Sequence, residues 1–194
     1  MLENQLDFST NAITVTQVVA NLGAILGGTL VGYSSQMVGR RLSIIIVCII
    51  GGALVYPYTY VRTGHNIIAA AFFEQFMVQG AWGVIPIHLM ELSPPAMRTF
   101  VVGTAYQLGN LASSASSTIE ATIGERFPLG SKKPGQDQRY DYGKVMCIFM
   151  GAVFAYVIVL TLVGPEKRGR DLAEVEGQDD RIAETPAVAE KEAA

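Results

Sequence analysis

The chain has 194 residues, of which 50% are hydrophobic and only 16% are charged, and its mean hydropathy is +0.33. This balance excludes an ordinary water-soluble domain, because a soluble chain of this length interrupts its apolar runs with charge far more often. The net charge of −3 gives no basis for nucleic-acid binding, and the two cysteines, Cys48 and Cys147, suit neither a disulfide framework nor a metal site.

Five apolar stretches follow one another along the chain, and each has about the 20 residues that a bilayer-spanning helix needs. They cover residues 13–32, 42–61, 67–90, 99–122 and 145–163. The second and fifth are apolar nearly all round and suit contact with lipid. The others carry amides or acids, which need a partner or a water-filled cavity. The sequence therefore predicts an all-α, multi-pass membrane protein with five transmembrane helices.

The first stretch carries a glycine seam and two amides. The glycines are Gly23, Gly27, Gly28 and Gly32. Small residues at G-x-x-x-G spacing let two helix backbones approach closely, so a packing seam is favoured over a ligand contact. Gln17 and Asn21 lie one helical turn apart on a shared face and are candidates for lining a polar cavity.

The third stretch contains Glu74, and a carboxyl group within a membrane span is costly and functional by default. Glu74 is therefore a candidate for proton coupling. The alternative is a structural acceptor for a neighbouring arginine or amide. After this stretch, Pro94 and Pro95 stop the helix, and the fourth stretch begins almost at once.

The fourth stretch presents Gln107, Asn110, Ser114 and Ser117 as one stripe of a helix. The two amides lie roughly 12 and 17 Å deep in a hydrocarbon core of about 30 Å. Their donors and acceptors could bind a carboxylate and a neighbouring hydroxyl. The alternative is that both amides form hydrogen bonds with adjacent helices.

Five charged residues are expected near one membrane surface, where they could form a network that stabilises one conformation of the protein. They are Arg40, Arg41, Glu91, Arg98 and Glu166. The compact Gly39-Arg40-Arg41 turn favours a cytoplasmic position for this surface. The polar loop at 127–142 would then lie outside, and residues 165–194 would form a disordered cytoplasmic tail after the membrane domain at 1–164.

Three separated segments resemble motifs of the major facilitator superfamily. Residues 31–43 are similar to its G-x-x-x-D-x-x-G-R-[RK] loop, with Gln36 in place of the usual aspartate. Residues 91–98 resemble the Glu…Arg element between the tenth and eleventh helices, and residues 164–172 resemble the element after the twelfth. This resemblance implies that the five spans are helices eight to twelve, within the C-terminal bundle.

Within that superfamily, residues 15–29 and 105–129 are most similar to fungal carboxylate–proton symporters, the lactate and pyruvate permeases. The family's seventh-helix signature does not occur in the chain, so we expect a C-terminal fragment that needs the N-terminal helices as partners. The resemblance implies alternating-access transport of lactate, pyruvate or acetate with protons across the plasma membrane. In the family, a Gln and an Asn of the eleventh helix affect substrate handling, and they match Gln107 and Asn110.

Two other hypotheses stay open at this stage. The chain could be a non-transporting membrane fragment that associates with a full-length carrier through the glycine seam, or it could carry another small solute such as a sugar. An intramembrane enzyme has little support, because the sequence contains neither a His/Cys/acid metal cluster nor a Ser/His or paired-Asp arrangement. We therefore expect no enzymatic activity and no cofactor.

Overall fold

The structure, a computed structural model, describes residues 8–60, 64–129 and 139–166, and almost all of them are helical. Its helices are α1 (Thr10–Val38), α2 (Arg40–Tyr60), α3 (Gly64–Leu92), α4 (Arg98–Ser113), α5 (Ser116–Gly124) and α6 (Tyr142–Val163), with a 3₁₀ turn at Pro95–Met97. Among the described residues, α1, α2, α3 and α6 are long and apolar enough to cross a membrane. The all-α, multi-pass fold is confirmed. Residues 167–194, most of the predicted tail, lie outside the described ranges.

The fourth predicted span is not one continuous helix but two, α4 and α5, which meet at Ser114 and Ala115. Serine hydroxyls at the break bind backbone carbonyls. Ser113 and Ser114 each donate a side-chain hydrogen bond to the carbonyl three residues earlier, at 3.1 and 2.7 Å. Such bonds compete with the backbone ladder of the helix. The fourth predicted span is therefore formed by the pair α4–α5 rather than by one uninterrupted helix.

Within the described residues, the helices nevertheless run from one end of the bundle to the other five times. Arg41 donates hydrogen bonds to the carbonyls of Thr161 and Leu162, which places the start of α2 beside the end of α6. We call the end of the bundle where Arg41 meets α6 the charged end. The broken pair α4–α5 runs from the charged end, where α3 stops, to the opposite end, where α6 starts. There β1 (Pro128–Leu129) pairs with β2 (Arg139–Tyr140) in a short antiparallel hairpin.

The glycine seam of α1 packs against α3 within this chain. A Cβ at Gly27 would overlap the backbone carbonyl of Phe76, and a Cβ at Gly23 would overlap that of Phe72. From the other side, a Cβ at Gly83 would lie 2.6 Å from the carbonyl oxygen of Gly28. The packing interpretation of the seam is therefore correct, and the seam is not an open surface for an external partner.

The turn between α1 and α2 consists of Gly39 alone. Its φ of 111° lies in the region that side chains disfavour, which explains a glycine at this position. The next helix starts immediately, so Arg40 and Arg41 belong to the first turn of α2 rather than to a loop. This tight connection fixes both guanidinium groups at the charged end.

Candidate functional site

Arg40 and Glu91 form a buried ion pair at the charged end. Nε and Nη2 of Arg40 both lie 3.1 Å from Oε1 of Glu91, and the side chains are 8% and 7% exposed. Nη1 of Arg40 donates to the hydroxyl of Ser35, which is fully buried. The pair therefore ties the start of α2 to the end of α3 and to the last turns of α1.

Arg41 and Glu166 of the predicted network act at helix ends. Arg41 binds the carbonyls of Thr161 and Leu162 at 2.8 and 2.6 Å, in the last turn of α6, where the helix dipole is negative. Oε1 of Glu166 accepts a 3.0 Å hydrogen bond from the backbone N–H of Arg40, at the positive end of α2. Each charged side chain thus forms hydrogen bonds with backbone groups that have no partner within the helix at its end.

Arg98 is not joined to Glu91, although the sequence motif places them together. In the described part of the chain, Nε and Nη2 of Arg98 are buried without a hydrogen-bond partner, and so is Oε2 of Glu91. Arg98 is half-buried at the start of α4. The structure therefore brings Arg40, Glu91 and Glu166 together and leaves Arg98 outside their hydrogen-bonded group.

A cavity of about 390 Å³ lies between α3 and α4. Its lining residues are Trp82, Ile85, Pro86, Leu89, Val102, Ala105, Tyr106, Gly109, Asn110 and Ser113. The rings of Trp82 and Tyr106 face each other with centroids 6.0 Å apart. Asn110, Ser113, Tyr106 and Trp82 have the polar side-chain groups of an otherwise apolar wall. A ligand with an apolar body and one polar group fits this arrangement.

Gln107 lies on α4 one turn before Asn110 and is exposed, and it does not line the 390 Å³ cavity. No residue of α4 is buried within the described chain, so the helix contacts α3 on one side and is open on the other. The structure therefore places Asn110 at a cavity and Gln107 on the open face beside it.

A second cavity of about 190 Å³ holds Glu74. Its walls come from α1, α2, α3 and α6, through Thr16, Gln17, Ala20, Tyr58, Ala71, Glu74, Gln75, Val78, Met146 and Met150. Glu74 is 2% exposed, and neither of its carboxyl oxygens has a hydrogen-bond partner among the described residues. Of the two amides predicted on α1, Gln17 lines this cavity and Asn21 does not.

One stripe of α3 lines both cavities. Side chains three, four or seven positions apart lie on one helix face. The residues of this stripe are Ala71, Glu74, Gln75, Val78, Trp82, Ile85, Pro86 and Leu89. Val78 is its last member at the Glu74 cavity, and Trp82 is its first at the α3–α4 cavity. The two cavities therefore follow each other along α3, about one helical turn apart.

Sequence reasoning missed several residues of these sites. Tyr58 lines the Glu74 cavity but is not among the residues that the sequence analysis selects. Trp82 and Tyr106 were not singled out, although the aromatic positions of α3 and α4 share the stripes of the candidate polar residues. Ser35 gave no signal, because its role depends on Arg40 folding back across the Gly39 turn.

Comparison with known proteins connects this architecture to membrane carriers. Residues 46–178 match the family described as sugar (and other) transporter. The chain is 46% identical, over 173 residues, to a carboxylic acid transporter protein homolog of Saccharomyces cerevisiae; the match covers 89% of the chain and 28% of that protein.

More distant relatives include a quinate permease of Neurospora africana and a cis,cis-muconate transport protein of Acinetobacter baylyi. The first is 36% identical over 52% of the chain and 18% of the relative, and the second is 28% identical over 63% of the chain and 29% of the relative. The chain thus spans less than a third of the length of each of these proteins. It belongs to the sugar (and other) transporter family of the major facilitator superfamily, whose members move small molecules across membranes and are not enzymes.

Proposed function

We propose that this chain is the C-terminal part of a plasma-membrane carrier that moves short monocarboxylates, such as lactate, pyruvate or acetate, together with protons by alternating access. Three relatives support a carboxylate as the substrate class. The yeast relative is named for carboxylic acids, and quinate and cis,cis-muconate, which name the other two, are themselves carboxylates. The helices that complete the carrier's central cavity would be partners of this segment.

The observation that carries the proposal is the position of Asn110 at the 390 Å³ cavity. Its side-chain N–H donates to a carboxylate oxygen, and its carbonyl accepts from a hydroxyl such as that of lactate. The apolar wall formed by α3 suits the short hydrocarbon part of the same substrate. Gln107, on the open face of α4, would contact the substrate from the side of the central cavity.

None of the described residues that line this cavity carries a fixed positive charge. A carboxylate that binds there retains its negative charge in a site of low polarity, which is unfavourable without compensation. A co-transported proton supplies that compensation, and so can groups from helices outside this segment. This charge balance favours proton symport over uniport of the bare anion.

The charged end would control the alternation between the two access states. The Arg40–Glu91 pair joins α2 to α3, and Glu166 joins the segment after α6 to the start of α2. We propose that this group lies on the cytoplasmic side, holds one conformation closed and separates in the other. The predicted placement of 127–142 outside and of the tail in the cytoplasm follows from the same orientation.

The test uses a complete carrier that contains this segment, assayed for uptake of labelled lactate. Asn110→Ala should raise the KM about five- to twentyfold, since a hydrogen bond to an ionised ligand contributes about 1–2 kcal/mol. Gln107→Ala should change the KM in the same direction. Asn11→Ala removes an exposed amide at the start of α1 and serves as the matched control. Wild-type kinetics in both cavity variants, or competition by glucose rather than by pyruvate, would contradict the proposal.

A further inference from the structure

We propose that Glu74 binds the transported proton and that its charge state controls the affinity for a carboxylate held at Asn110. This inference rests on the proposed transport of carboxylates and identifies the group that couples it to protons. It also makes the two cavities along α3 parts of one transport site.

The first support is the isolation of the Glu74 carboxyl group. The side chain is 2% exposed, and both oxygens lack a hydrogen-bond partner in the described ranges. Buried polar groups are nearly always hydrogen-bonded, so an unpartnered carboxyl that lines a cavity points to a ligand or to water. The cavity of about 190 Å³ has room for several water molecules, which can bring a proton to the carboxyl and take it away.

The second support is the set of groups that face Glu74. α1 contributes Thr16 and Gln17, α2 contributes Tyr58, α3 contributes Gln75, and α6 contributes Met146 and Met150. Tyr58 is the one other titratable group among these lining residues, and none of them carries a fixed charge. Binding of a proton therefore removes a negative charge that nothing in the cavity wall offsets.

The third support is the distance between the two cavities. Glu74 and Trp82 lie on the same stripe of α3 and are eight residues apart, which is about 12 Å along the helix axis. Trp82 lines the cavity that Asn110 also lines. If the two charges are separated by about this axial spacing, their repulsion in a protein environment lowers the affinity for the second charge about tenfold.

Each transport cycle moves one proton together with one carboxylate. In the outward-open state, water delivers a proton to one oxygen of Glu74, and the carboxyl becomes neutral. The carboxylate binds beside Asn110 without repulsion, the loaded carrier changes its access, and both ligands leave on the other side, where the proton returns to water. By thermodynamic linkage, carboxylate binding raises the affinity of Glu74 for the proton by the same factor of about ten.

The decisive experiment measures the KM for lactate against pH in proteoliposomes that contain a complete carrier with this segment. The range is roughly pH 5 to 8.5, where a short carboxylic acid stays ionised. The wild-type KM should rise about tenfold as Glu74 loses its proton, because only the ionised form repels the substrate. In Glu74→Gln the KM should not change with pH. Counterflow exchange of lactate should persist, and uphill accumulation driven by a pH gradient should be lost.

Two further variants complete the test. Glu125→Gln removes an exposed carboxyl after α5 and should behave as wild type, and Glu74→Asp should retain accumulation. A pH-dependent KM in Glu74→Gln, or loss of exchange together with accumulation in a correctly folded protein, would overturn the role of Glu74. Failure of the wild-type carrier to move any carboxylate would instead refute the proposed function.

Discussion

Replacement of Arg40 by methionine should destabilise the protein strongly, because it leaves Glu91 as a buried acid without a partner. Glu91 is 5% exposed, and Nε and Nη2 of Arg40 supply the interactions of its Oε1. Its Oε2 has no hydrogen-bond partner among the described residues. When one member of a buried ion pair is removed, the remaining charge is uncompensated, at a cost of about 3–5 kcal/mol.

The paired substitution separates that charge effect from a loss of packing. In Arg40→Met/Glu91→Met neither charge of the pair remains, so most of the stability should return, since apolar residues of similar volume often replace such pairs without loss. Arg126→Met removes an exposed arginine after α5 and should change stability by less than about 0.5 kcal/mol. Unfolding of the purified protein in detergent, followed by tryptophan fluorescence, provides the measurement.

The result that would refute this reasoning is a double variant as unstable as Arg40→Met alone. Packing or the hydrogen bond to Ser35 would then account for the loss, rather than the uncompensated charge of Glu91. Equal stability of Arg40→Met and Arg126→Met would show that the ion pair contributes nothing measurable.

Two further predictions concern packing and topology. Gly27→Ala should destabilise the α1–α3 contact by about 1–3 kcal/mol, because its Cβ would overlap the Phe76 carbonyl. Gly52→Ala should be neutral or stabilising, since its Cβ would lie 3.9 Å from the nearest side-chain atom. Equal unfolding curves for the two variants would contradict the packing role of the glycine seam. Single cysteines at Thr10 and Pro165, in a protein without its native cysteines, should react with an impermeant reagent from opposite sides of the membrane, as five crossings require. Labelling of both cysteines from the same side would mean that α4 and α5 together do not cross the membrane.

Helix positions could be predicted from sequence because apolar runs of bilayer length leave few alternatives. The ends of the helices could not, since polar residues continue a helix once it leaves the hydrocarbon. α1 is the clearest case, because it was predicted for 13–32 but extends over Thr10–Val38. At its start, Ser9 accepts a hydrogen bond from the backbone N–H of Ala12, a capping signal that lies outside the apolar run.

The fourth span shows how a correct pattern can mislead. Its polar residues recur at helical spacing, but that spacing does not reveal whether the backbone stays continuous. Ser113 and Ser114 lie together where the stripe passes the middle of the segment, and their hydroxyls bind backbone carbonyls. Ser34 and Ser35 form the same kind of bond within the unbroken α1, so the residue types alone do not locate the interruption.

Partners of charged residues were the least predictable part of the site. The motif suggested that Glu91 belongs with Arg98, seven residues later, but Glu91 binds Arg40, which lies 51 residues earlier. Glu74 is a similar case, because the residues that enclose it come from α1, α2 and α6 as well as from its own helix α3. Both outcomes depend on packing between distant segments, which hydropathy and spacing do not encode.

The three faces of α3 explain how one short segment can serve both stability and transport. One face receives the glycine seam of α1, and a second packs against α2 around Ala81 and Val84. The third face is the stripe that lines the two cavities, with Glu74 near its first end and Leu89 at its last. The Glu74 carboxyl and the α3 side of the cavity that Asn110 lines therefore lie on the same face of one helix.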